Sequence, residues 1–258
     1  MKVSRFVAAQ LLSFGLLCSG ASGVHAGGTN NATNNATSAP DLDVRISYYS
    51  KVITAEGVTR EARYQDKMLR RQSHVWLERI VANKFAAHHE HKPEHKPEIK
   101  KVNNPKAAQS LTEHKHFNPV LIPRHIQLVA GKPEIEFIDA QEKMCVSVPA
   151  SEYNNVNFDG SWSNAYYLLD PALLKEMKIS TVKSSDADAV WYEREKNGIF
   201  QKVLWHTKKQ IPLIVESGDK AGQFYQRVEV QIADKTQAQL PWTNLKGYIQ
   251  KEYADFLD

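Results

Sequence analysis

The sequence predicts a mainly β (α+β) protein: a strongly curved antiparallel sheet, a half-barrel, with a few helices packed on its concave side. Two observations carry this expectation. Residues 188–232 read as four short strands in succession, each joined to the next by a turn, and strand-type alternation recurs through much of the rest of the chain. Helical spacing, by contrast, is confined to short stretches at 164–169, after Asp170 and near the C-terminus.

In the meander, Val190, Trp191 and Tyr192 open the first strand and Asn197-Gly198 closes it. Both of these residues tolerate the positive φ that a two-residue hairpin turn needs. The second strand covers 199–206, the polar turn Thr207-Lys208-Lys209-Gln210 follows, and a third strand covers 211–216. After the turn 218–222 comes the last strand, 224–232. There Phe224, Val228, Val230 and Ile232 share one face, and Tyr225, Arg227, Glu229 and Gln231 share the other.

The run Phe200-Gln201-Lys202-Val203-Leu204-Trp205, then Gln210-Ile211-Pro212-Leu213, then Glu216-Ser217-Gly218-Asp219-Lys220-Ala221-Gly222-Gln223-Phe224 resembles the bacterial periplasmic lipoprotein-carrier family (LolA and LolB). The early strands resemble that family too, and also the RseB-type periplasmic sensors. The resemblance implies a bent sheet around a cleft for an acyl chain, a lipidated partner or a peptide. Through the RseB-type relatives it implies recognition of an inner-membrane protein. Fold does not fix function. The histidine-rich insertion described below departs from the carrier pattern, and no lipoprotein-gripping arginine can be placed.

The chain opens as a secretory signal over 1–26. Lys2 and Arg5 precede an apolar core, and Val24-His25-Ala26 offers a small-residue cleavage site. Such a run is too short to span a bilayer, so the exported chain is expected to be soluble in the periplasm. Residues 27–40 are a polar tether without apolar periodicity. Loss of Lys2 and Arg5 takes the formal charge from +4 to about +2, which makes no electrostatic case for nucleic acid. Cys145 is then the sole cysteine, so no internal disulfide forms; it reads as a small apolar strand residue.

One β-rich domain is expected over 41–258, interrupted by a His-rich flexible insertion at about 86–112. Strands are predicted at 44–53, 58–64 and 73–81, with a Glu56-Gly57 turn after the first. Arg70, Arg71 and Arg79 read as solvated charges, with gripping of an acidic partner as the alternative role. The insertion carries a tandem His-Lys-Pro-Glu unit, whose prolines remove backbone donors and prevent a helix or central strand. Order resumes near His114-Lys115-His116-Phe117, with Val120, Leu121 and Ile122 entering a strand that continues through 126–129. Residues 135–138 and 144–148 read as a hairpin, and 154–162 as a loop. Asp170-Pro171 is a helix start, with Asp as cap and Pro in the first turn. A C-terminal helix is expected after Thr243 or Asn244, with Leu245, Tyr248, Ile249, Tyr253 and Phe256 near one stripe.

Catalytic signatures are lacking: there is no Gly-x-Ser-x-Gly elbow, His-Glu-x-x-His helix or glycine-rich phosphate loop. A non-enzymatic protein is therefore expected. Its aromatic residues suit a binding face, and Trp76, Trp191, Trp205, Tyr48, Tyr192 and Phe224 are the candidate ligand-binding residues, with filling of the core as the alternative role. The clustered histidines are the second chemical signal. His88, His89, His91, His95, His114, His116 and His125 are candidate ligands for Zn, Cu or Ni, with the His114/His116 pair directed to one face of a strand. Adventitious binding by a mobile repeat is the alternative. The functional readings are thus a periplasmic binder of a hydrophobic or acyl ligand or a lipidated or peptide partner, an envelope metal-binding or metal-sensing protein, and an RseB-like interaction module. Oligomeric state is not legible.

Overall fold

The computed structural model describes residues 39–81 and 117–256. The expected signal, most of the tether, the insertion, and His88, His89, His91, His95, His114 and His116 lie outside the described residues.

Twelve strands form one sheet: β1 (Leu42–Ile53), β2 (Thr59–Arg71), β3 (His74–Arg79), β4 (Arg124–Val129), β5 (Lys132–Asp139), β6 (Met144–Val148), β7 (Lys178–Ile179), β8 (Ala189–Lys196), β9 (Ile199–His206), β10 (Ile211–Asp219), β11 (Phe224–Ile232) and β12 (Ile249–Glu252). Across the sheet they run β12, β6, β5, β4, β3, β2, β1, β11, β10, β9, β8, β7. Two successive meanders, β1 to β6 and β7 to β11, are therefore joined along β1 and β11. The protein is mainly β, its sheet is open rather than closed, and all neighbours are antiparallel except β12, which runs parallel to β6. Among the described residues no helix is long and apolar enough to cross a membrane.

The expected meander is present. Asn197 and Gly198 have φ values of 53° and 76°, the pair of positive angles that a two-residue hairpin loop requires. β1 is the seam because its alternation works on both sides at once. Val44, Ile46 and Tyr48 face Met68, Asp66 and Tyr64 on β2, and Ile232, Val230 and Val228 on β11. Residues directly opposite in an antiparallel pair share a face. Following this register places Val75, Leu77, Ile126, Phe137, Val203 and Val215 on the same side as Ile46. That side is the core face.

The helical layer covers this face with a 3-10 turn (Ala150–Val156), α1 (Trp162–Tyr167) and a second 3-10 turn (Pro171–Glu176). Ser161 caps α1 by accepting from the Asn164 N–H, and Asp170 caps the following turn by accepting from the Ala172 N–H, as its sequence position implies. Val156, Phe158, Tyr166, Leu169 and Leu174 join Val44, Ile46, Met68 and Phe137 in one buried core. A smaller cluster lies on the opposite side of the sheet. Leu69, Trp76, Ile138 and Cys145 are covered there by Trp242, Leu245 and Tyr248. Burial raises the Cys145 thiol above its ordinary pKa, in keeping with an inert apolar residue.

Several expectations differ from the structure. The C-terminal helix is absent from the described residues. Gly247 takes φ 84°, and Ile249–Glu252 instead pairs with the free edge of β6 before a 3-10 turn at Tyr253–Phe256. Edge hydrogen bonding has overridden the apolar spacing. Residues 119–121 form a turn, and β4 begins only after Pro123, which has no N–H to give a ladder. Arg70 and Arg71 are buried rather than solvated, at 0% and 8% exposure. Arg71 pairs with Asp43 at 2.8 Å. The folded body already includes Ala39, which is buried and whose carbonyl accepts from the Tyr166 hydroxyl.

Candidate ligand cavity

Between the core face and the helical layer lies a cavity of about 600 Å3, within the roughly 300–1,000 Å3 usual for small-molecule sites. Leu77, Ile126, Val215 and Val228 form its sheet wall, while Val156, Phe158, Leu168 and Leu173 form the wall opposite. The sheet residues reach it through the period of two: each occupies the same parity on its strand as a core residue. Leu168 and Leu173 reach it from the two segments whose starts the Ser161 and Asp170 caps set, and Val156 and Phe158 from the end of the first 3-10 turn.

One end of the cavity is polar. Tyr48 and Tyr64, opposite each other on β1 and β2, stack with ring centroids 4.5 Å apart. Beside them Asp66 accepts from Arg79 Nε at 2.5 Å, and the Arg79 guanidinium lies 4.0 Å over the Tyr64 ring. Arg124, on β4 opposite Leu77, completes the group. Burial pushes the Tyr48 hydroxyl and the Asp66 carboxyl above their ordinary pKa values and Arg124 below its own, because each charged form loses solvation. Neighbouring Arg79 and Arg124 oppose the shift of Asp66. The arrangement is amphipathic: aliphatic walls with a charged, hydrogen-bonding end that carries two arginines and one aspartate.

The structure divides the sequence-predicted ligand residues. Tyr48 lines the cavity. Trp205 is buried in the core, and Tyr192 packs against that core. Phe224 lies opposite Val52, at the far end of β1 from Val44 and half-buried. Trp76 and Trp191 occupy the other side of the sheet by register. Trp76 is part of the small cluster under Trp242, with Nε1 donating to Glu78 at 3.3 Å. Trp191 borders a shallow second depression with Val182 and Ala189. Tyr64, Asp66, Arg79 and Arg124 were not among the expected site residues. The signal for them was a polar or charged residue at the parity of Met68, Leu77 and Ile126, which becomes readable only when that parity is known to be the dry one.

Of the seven histidines named as metal ligands, His125 is described. It is 3% exposed, with Nδ1 2.8 Å from Glu136 Oε1 and Nε2 2.9 Å from His74 Nδ1. Both ring nitrogens are engaged within the protein. A different trio, Asp186, Asp188 and His206, brings potential ligand atoms together. His206 Nδ1, however, accepts from the Lys209 N–H at 3.3 Å. The neutral ring then carries its proton on Nε2, toward Asp186, and has no lone pair there for a metal. Asp188 is paired with Lys208 at 2.9 Å.

No family model and no curated protein matches the chain. Solved structures give weak likenesses. The structure titled PNGF-II has a TM-score of 0.33 at 9% identity over 83% of this chain and 32% of its own. The MucA/MucB complex from Pseudomonas aeruginosa has 0.35 at 9% identity over 76% and 53%. A putative outer membrane lipoprotein-sorting protein domain from Vibrio parahaemolyticus has 0.28 at 11% identity over 76% and 88%. The last two are of the kinds that the sequence resemblance names, at a weak level. The chain spans about a third and a half of the first two structures, respectively.

Proposed function

We propose that the chain is a non-enzymatic binding protein of the periplasm whose cavity takes a hydrophobic or acyl ligand. The observation that supports this reading is the cavity of about 600 Å3 between the core face and the helical layer, walled by aliphatic side chains. An aliphatic volume of this size gains free energy in proportion to the apolar area that an acyl chain removes from water, about 25 cal/mol per Å2. A lipidated or peptide partner would use the same volume through its apolar segment.

Native mass spectrometry of the exported chain, purified without tags, reads any lipid carried through purification. Titration with a fluorescent acyl probe measures the cavity directly. Leu173→Trp places a larger side chain on the helical wall and is expected to weaken the probe while leaving the melting midpoint near that of the parent. Failure of the parent chain both to carry lipid and to bind the probe would remove the reading.

A further inference from the structure

Arg124 is the charged residue of the cavity whose role folding does not explain. Arg79 and Asp66 neutralise each other through their contact at 2.5 Å. The Arg124 side chain makes no hydrogen bond or ion pair among the described residues; its guanidinium interacts only at longer range with Tyr48, Asp66, Arg79 and Tyr64. At this polar end Arg124 is therefore the cation left over beyond the Asp66–Arg79 pair, while Glu78, Asp159 and Arg227 carry charge elsewhere in the lining. A guanidinium drawn out of bulk water without a paired anion is costly, and the cost is recovered when an anion binds. Guanidinium is also the cation best matched to a carboxylate, since its donors form a planar fork.

We propose that the cavity selects a single-chain amphiphile with a monoanionic carboxylate head, and that Arg124 receives that head while the chain lies along Leu77, Ile126 and Leu173. The inference rests on the reading of the cavity as an acyl site and adds the chemistry of its polar end. A single head-group charge matches the one guanidinium at this end that no carboxylate contacts. Tyr48 lines the same end, and its hydroxyl remains protonated at neutral pH because burial disfavours the phenolate. It therefore supplies a second donor to a carboxylate oxygen. Asp66 is the acid nearest this end on the core face, and its engagement with Arg79 keeps its charge from opposing the ligand.

The test compares cis-parinaric acid with its methyl ester, which has the same chain and no charge, on the parent chain and on Arg124→Met. The parent is expected to bind the acid at least about tenfold more tightly than the ester, the scale of a charge-assisted contact. Arg124→Met should lose that preference while retaining the ester affinity, and added salt should weaken only the acid. Equal binding of acid and ester by the parent overturns the head-group assignment and leaves the acyl reading standing. Binding of neither overturns both. An acid preference that persists in Arg124→Met assigns the head to another cation and also overturns the proposal. Arg124→Lys, which keeps the charge but not the fork, guards against a folding defect: its melting midpoint should match the parent, with an intermediate preference for the acid.

Discussion

Nε2 of His125 lies 2.9 Å from Nδ1 of His74, and the two rings are parallel to within 9°. Trp242 stacks on both, at 5.4 Å from His74 and 5.1 Å from His125. With Glu136 accepting from His125 Nδ1, the neutral network runs in one direction: His74 donates to His125, and His125 donates to Glu136. The segment carrying Trp242 is thus attached to the sheet by contacts that a second proton would disturb.

Stability is expected to fall as pH falls below about 6.5, the ordinary histidine value. Burial, then the neighbouring His125, holds His74 below that value in the folded chain. The unfolded chain therefore binds protons first, so stability is full above the unfolded pKa and is lost on the way down through the folded one. Melting midpoints taken between pH 7.5 and 5 should show the decline. His74→Gln should flatten it, and an unchanged slope in that variant would assign the pH response elsewhere.

Arg70 is fully buried and has backbone oxygens rather than a carboxylate around it. It donates to the carbonyls of Pro40 at 3.0 Å, Gln210 at 2.9 Å and Lys209 at 2.5 Å, drawing the segment before β1 and the β9–β10 turn onto β2. Arg70→Met strands these acceptors and should cost about 3 kcal/mol in urea denaturation. The exposed Arg63, changed to Ala, should shift stability by less than about 0.5 kcal/mol.

Gly198→Val should destabilise the chain by about 1 kcal/mol or more. The space around Gly198 is open, with nothing within 4 Å of an added Cβ, so the cost comes from φ 76° alone. A melting midpoint equal to the parent's would show that the hairpin tolerates a different turn.

Gly218 presents the opposite case, where the backbone is permissive and space is not. A Cβ there would sit 2.8 Å from Phe200 Cζ and 3.0 Å from the Phe224 carbonyl oxygen. Gly218→Ala should cost about 1 kcal/mol by chemical denaturation. Combining it with Phe200→Leu should cost less than the sum of the two single changes, since the ring is part of the obstruction.

Local chemistry accounts for what was legible in the sequence. Asn197-Gly198, the Asp170 cap and the alternation from Phe224 to Ile232 are each decided within a few residues, so they survive whatever the rest of the chain does. Alternation also names two faces of a strand, but it does not say which one is dry. That choice needs the neighbouring strand and the layer above it. The sheet register placed Tyr48 at the cavity and Trp76 on the opposite side, although both are aromatic residues on predicted strands.

By itself the sequence determined a mainly antiparallel β chain with its principal hairpin turn and the Asp170 cap in place, because period and turn chemistry are short-range. Only the tertiary structure decided that Arg70 is buried among carbonyls, that His125 faces His74 and Glu136, and that 249–252 is a strand. It also brought Arg124 beside Tyr48 and Asp66, residues far apart in sequence. The physical reason is that burial, ring stacking and edge pairing depend on partners supplied by distant strands, and local propensity is too small to override them.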